Sequence, residues 1–217
     1  MAKRKTKKIK GNFAYDFVKI TGFLPAFIWV RPRIIRENEN VPKRIKGGVL
    51  MASNHVTFID PIILHCALWY RRLYSIATKE VARTKLRKFL FETMHCILID
   101  KENFSFKDLH LICDTLKEDK AVVIFPEGSV NLSENKDQEY KSGVVLMALL
   151  SQKPIVPICI IKGERWYSRV TVVIGEPIDV AKIYGPMPSM EQIEEISQIL
   201  KDKVESLKAY KRKKRGN

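Results

Sequence analysis

Cysteine is scarce here. Cys66, Cys96, Cys113 and Cys159 stand far apart in apolar surroundings. No paired Cys spacing and no His-Glu-x-x-His run accompanies them, so neither a disulfide frame nor a metal site is expected. They read as reduced core residues of a cytosolic protein. Long apolar runs are missing too. The longest uncharged stretch near the N-terminus, Ile20 to Val30, falls well short of the ~20 residues that a membrane-spanning helix needs. The basic N-terminus is followed by no clean apolar segment with a small-residue cleavage site, so no signal peptide is expected. There is no internal repeat. There is also no helix-turn-helix, zinc-finger or RRM signature, which weighs against a nucleic-acid-binding protein.

What the chain does have is enough apolar material for one good core: 46% of 217 residues. It also has a net charge of +15, unevenly placed. Residues 1–10 hold six Lys or Arg and no acid, and residues 208–217 hold six more and no acid, which leaves about +3 for everything between. Basic ends of this kind suit anionic lipid headgroups or nucleic acid, and they also suit plain solvation. Residues 12–30 are rich in aromatics but interrupted by Asp16, Lys19 and Pro25, and are bounded by Arg31 and Arg33. That pattern fits an interfacial segment, with aromatics at the headgroup boundary and Lys or Arg on anionic lipid; a helix packed on the domain is the other reading.

The body alternates between two hydrophobic periods. Strands are expected at 49–51, 73–77, 96–99, 121–125, 155–161 and 170–174. Helices are expected at 61–70, 79–94, 105–118, 143–151 and 189–210, with Ser105 a candidate cap and Asp108 three positions on. Residues 34–48 read as a polar connection. Alternation of this kind implies an α/β fold with a mainly parallel, helix-covered sheet.

Two stretches carry the chemistry. The first is Asn54-His55-Val56-Thr57-Phe58-Ile59-Asp60, between the strand at 49–51 and the helix opening at Pro61. Open α/β sheets place ligands at such strand ends. A neutral imidazole can take a proton near neutral pH. It works best when a carboxylate holds its far nitrogen and stabilises the imidazolium that forms, and Asp60 is the nearest candidate. With no evident serine or cysteine nucleophile in the motif, His55 reads as a base acting directly on a substrate hydroxyl. The second stretch is Phe125-Pro126-Glu127-Gly128-Ser129. Its glycine permits close backbone approach, and Glu127 is an ionisable group where a core would exclude one. Lys141, opening a helix, and Lys101, ending the third strand, could meet phosphate. Parallel strands would gather all of these at one edge.

These blocks resemble the glycerolipid acyltransferases. Residues 54–60 match that family's Asn-His-x-x-x-x-Asp signature, and 125–129 match its Phe-Pro-Glu-Gly-Thr/Ser block. Val156-Pro157-Ile158 and Ile174-Gly175-Glu176-Pro177-Ile178 resemble two further segments, in the family's order, across roughly 45–180. The resemblance implies an acyltransferase domain over 34–210, between a basic interfacial segment at 1–33 and a basic tail at 211–217. It implies an enzyme of phospholipid synthesis at the cytoplasmic face of a membrane, peripheral or monotopic. The reaction implied moves a fatty acyl group from acyl-CoA or acyl-carrier protein to a lysophospholipid, first of all 1-acyl-glycerol 3-phosphate, with no cofactor and no metal. His55 and Asp60 would be catalytic, with Asn54, Lys101, Glu127, Gly128, Ser129 and Lys141 around the substrates. Two departures bear on the acceptor. Val130 stands where the family often has Arg, and Lys101 stands where it usually has Arg. Lysine cannot make the planar two-bond fork of arginine. Another lysophospholipid or glycerol 3-phosphate is therefore the rival acceptor.

Overall fold

In a computed structural model the described residues are 12–100, 103–128, 142–163, 169–185 and 188–210. The chain opens with helix α1 (Asn12–Val30), followed by β1 (Arg33–Arg36), β2 (Val49–Ser53), α2 (Asp60–Ala67) and β3 (Leu73–Thr78). It continues through α3 (Lys85–Thr93), β4 (Ile97–Ile99), α4 (Phe106–Lys117), β5 (Ala121–Ile124) and α5 (Gly143–Ser151). It closes with β6 (Ile155–Ile161), β7 (Thr171–Ile174), α6 (Val180–Tyr184) and α7 (Met190–Leu207).

The seven strands form one sheet in the order β1-β7-β6-β2-β5-β3-β4. From β6 to β4 every neighbouring pair is parallel; β7 then runs antiparallel to β6, and β1 runs parallel to β7. β2 lies between β6 and β5 and is buried along its whole length, as a strand covered on both faces must be. Its alternate residues feed two cores. Leu50 and Ala52 join α4, α5 and α7 on one face, while Val49 and Met51 join α2 on the other. The chain thus leaves β2 toward one face and reappears after β5 on the opposite face. Such a divergence opens a crevice at the carboxyl ends of the strands.

The mainly parallel sheet agrees with the periodicity. Four local expectations need correction. The polar stretch 34–48 contains part of an edge strand, β1; Arg33 and Arg36 at its ends are tolerated because the strand has only one neighbour, β7. That strand also straddles the expected boundary at residue 33. The helix expected over 79–94 is split into a 3-10 turn, Lys79–Ala82, and α3, because the Thr84 hydroxyl accepts the Arg87 N–H and starts a new helix. α6 was not anticipated; it is a single short helix capped by Asp179. The Ser105–Asp108 capping box does form.

α1 touches the domain through a few polar anchors. The buried Tyr15 hydroxyl accepts the Leu73 N–H at 3.1 Å and meets His65 Nδ1 at 3.1 Å. Its ring stacks on His95, which stacks in turn on Tyr74. Lys19 donates to the carbonyls of Trp69 and Arg71, both at 2.7 Å, and Arg72 grips Asp16 with two bonds. Most apolar side chains of α1 are left uncovered: Phe13 is 84% exposed, and Phe17, Ile20, Leu24 and Ile28 are exposed with it at helical spacing. α1 is bent by 44° between Phe13–Gly22 and Leu24–Val30, at Pro25, whose missing N–H breaks the ladder. Among the described residues no single helix is long and apolar enough to cross a membrane; only the two bent halves of α1 taken together pass that test.

Burial holds His65 neutral, with its pKa lowered to about 3. The unfolded chain binds this proton near an ordinary ~6.5, so the folded state loses stability as pH falls from there toward 3. Thermal melts should show the wild type losing more Tm between pH 7 and pH 4 than His65→Gln, which keeps an acceptor for Tyr15 without a titrating ring; equal losses would contradict this assignment.

Candidate active site

The crevice at the end of β2 holds His55 and Asp60. Asp60 is the first residue of α2, followed by Pro61, which needs no amide partner in the first turn. Its carboxylate has no exposed surface, and four donors meet it. Oδ2 lies 2.9 Å from His55 Nδ1 and accepts the backbone N–H groups of Val56 and Thr57 at 2.6 and 2.8 Å. Oδ1 accepts the Thr57 hydroxyl at 2.6 Å. Surrounded by donors in this way, the carboxylate accepts a hydrogen bond from Nδ1–H of the imidazole. That tautomer leaves Nε2 with its lone pair outward. The His55 side chain is 16% exposed, enough for a substrate atom to reach.

Three further contacts fix the ring and its loop. His55 stacks on Phe125 with centroids 4.2 Å apart. Its backbone N–H points to Glu127 Oε1 at 3.4 Å. The preceding residue, Asn54, pairs with the backbone of Ile160 on β6, donating to its carbonyl at 3.0 Å and accepting its N–H at 2.7 Å. Asn54 is therefore an anchor between strands, not the substrate contact expected of it: it is buried, and its amide is already engaged.

Glu127 is the other feature of the crevice. Its Oε2 is buried and has no hydrogen-bond partner among the described residues. Burial raises its pKa above the usual carboxylate range, although the His55 N–H and nearby positive charge pull the other way. Gly128 follows at φ 68°, where a side chain would be strained, and its N–H closes a turn onto the Phe125 carbonyl at 3.0 Å. The turn presents Glu127 beside the His55 loop. Of the residues expected at this edge, the structure joins His55, Asp60, Glu127 and Gly128. Lys101, Ser129 and Lys141 lie outside the described residues.

Sequence reasoning overlooked Thr57 and Phe125. Thr57 was detectable: Thr-Phe-Ile-Asp at 57–60 has the spacing of a capping box ahead of an apolar helix. Phe125 was not, because a stacking partner seventy residues away in sequence leaves no local trace. Among the described residues no group of three or more His, Cys, Asp or Glu is placed to hold a metal ion.

The family profile described as Acyltransferase matches residues 33–161. The 1-acyl-sn-glycerol-3-phosphate acyltransferase of Bacillus subtilis is 25% identical over 80% of this chain and 86% of its own length. A probable enzyme of the same name from Mycoplasma pneumoniae is 31% identical over 67% of this chain and 56% of its own length. The crystal structure of the 1-acyl-sn-glycerophosphate acyltransferase from Thermotoga maritima superposes with a TM-score of 0.60 at 22% identity, over 91% of this chain and 79% of that one, and so shares the fold. With the profile covering more than half of its length and the His55–Asp60 pair set within the matched region, the chain belongs to the Acyltransferase family and is an acyltransferase.

Proposed function

We propose that the protein transfers a fatty acyl group from an acyl thioester to the free hydroxyl of 1-acyl-glycerol 3-phosphate, forming phosphatidic acid. The observation that carries this reading is the buried carboxylate of Asp60 holding His55 Nδ1 at 2.9 Å, which leaves Nε2 as the base. Nε2 removes the proton from the acceptor hydroxyl as the oxygen attacks the thioester carbonyl; Asp60 stabilises the imidazolium. The C–S bond breaks, the proton passes to the departing thiolate, and the ester is released with no covalent enzyme intermediate. Glu127, with one oxygen open to a donor, and Gly128 shape the acceptor site. Lys101, Ser129 and Lys141, which the family resemblance adds to the substrate contacts, lie outside the described residues. The acyl donor is acyl-CoA or acyl-carrier protein. The names of the Bacillus and Mycoplasma relatives support 1-acyl-glycerol 3-phosphate as acceptor, while Val130 in place of the family's Arg keeps glycerol 3-phosphate and other lysophospholipids as rivals.

An amphiphilic acceptor suits an enzyme seated on a membrane surface. The exposed apolar face of α1, preceded by six basic residues in 1–10, supports such a seat on anionic lipid.

Three outcomes are expected. Thiol release from acyl-CoA or acyl-carrier protein requires lysophosphatidic acid and falls by about 10²–10⁴-fold in folded His55→Ala; near-normal turnover in that variant would remove His55 as the base. Release with glycerol 3-phosphate or lysophosphatidylcholine instead would move the acceptor and keep the chemistry. Thr57→Val removes one donor from Asp60 and leaves the backbone pair, so its kcat should fall by about ten-fold, less than in Asp60→Asn, where the amide cannot accept all four bonds. Deleting residues 1–33 should abolish sedimentation with anionic vesicles, and salt should weaken it in the intact chain; undiminished sedimentation of the shortened chain would refute the seat.

A further inference from the structure

At the far end of α2 from Asp60, an open groove of about 790 Å³ lies between α1 and the segment 65–72. Ile20, Leu24 and Phe27 of α1 form one wall, and Trp69 stands in the other. These are apolar side chains on both sides of the bend in α1. The end toward Lys19 is polar and positive. Three cations, Lys19, Arg71 and Arg72, reach the groove, against one carboxylate, Asp16. Only Arg72 is bonded to that carboxylate. Arg71 is held by the carbonyls of Ile45, Gly47 and Asp119. Lys19 is held by the carbonyls of Trp69 and Arg71, which take two of its three hydrogens. Carbonyls orient these cations without cancelling their charge. Burial also depresses the Lys19 pKa, a cost that a bound anion would relieve.

We propose that this groove is a binding site for a single fatty acyl chain with an anionic head, the chain lying along Ile20, Leu24, Phe27 and Trp69 and the head at Lys19. The groove falls within the range of small-molecule sites, and its long apolar wall with one charged end fits an amphiphile better than a compact polar ligand. Because the groove takes in the C-terminal end of α2, an eight-residue helix that starts at Asp60, it is separate from the His55 crevice. The site does not depend on which acceptor the enzyme uses, so its failure would leave the acyl-transfer reading untouched.

The test is photolabelling of the full chain, without vesicles, by a palmitic acid analogue carrying a diazirine near its methyl end and kept below its aggregation concentration. Adducts are expected in peptides covering 20–27 and 66–71, to be displaced by palmitate and far less by hexadecanol. Leu24 is already 63% exposed, so Leu24→Arg should fold and should cut this labelling by about ten-fold. Lys19→Gln should weaken palmitate and leave hexadecanol unchanged. His55→Ala should label as the wild type does. Adducts confined to 53–60 and 124–128, or labelling indifferent to Leu24→Arg, would overturn the site. Equal displacement by hexadecanol would overturn the anionic head. Thiol release measured on the same samples reports the acyl-transfer reading independently.

Discussion

A carboxylate removed from water must be met by donors, and around Asp60 that requirement organises the whole candidate site. Four donors come from three consecutive residues, His55, Val56 and Thr57, so the loop can satisfy Asp60 only by turning back over the start of α2. The turn aims the imidazole. Each of these bonds, left unmade on a buried group, would cost about 1–3 kcal/mol, which gives the loop one preferred conformation. The orientation of His55 and the local folding of the loop are therefore the same set of contacts.

That loop is held from both sides by the neighbours of β2. Asn54 ties it to β6 through two bonds to Ile160, and Phe125, just past β5, supports the ring of His55. A strand between two parallel partners, buried from Val49 to Ser53, is a rigid base for the loop that carries His55 and Asp60. Glu127 enters from the same β5 end with one buried oxygen unpartnered among the described residues. A group of this kind is a burden to folding and an asset to binding, since a substrate hydroxyl can satisfy it.

α1 follows a different logic. It is fastened by Tyr15, Asp16 and Lys19, with Val30 in the core at its end, while Phe13, Phe17, Ile20 and Leu24 stay exposed. A helix of this composition in a water-soluble core would bury Phe13, Phe17, Ile20 and Leu24. Here polar bonds hold the helix on the domain while its hydrophobic stripe remains available, and the cleft left beneath its bend is where the groove lies.

Much of this could be read from residues alone. The alternation of apolar periods determined a mainly parallel α/β sheet, and the motif spacing determined that His55 and Asp60 would meet across a strand-to-helix loop, because Pro61 and the apolar run after it set where the helix begins. The capping box at Ser105 was local for the same reason: its partner, Asp108, lies three residues on. The tertiary structure decided what depends on distant partners. Edge position allowed β1 to form from a polar, charged stretch, and an antiparallel turn of the chain set the direction of β7 against β6. Asn54 became an anchor only because Ile160, more than a hundred residues later, presents its backbone at that height in the sheet. Whether the aromatic face of α1 would be buried or exposed was likewise open in the sequence, since an amphipathic pattern shows that a helix has two faces, and only the packing shows which of them the domain uses.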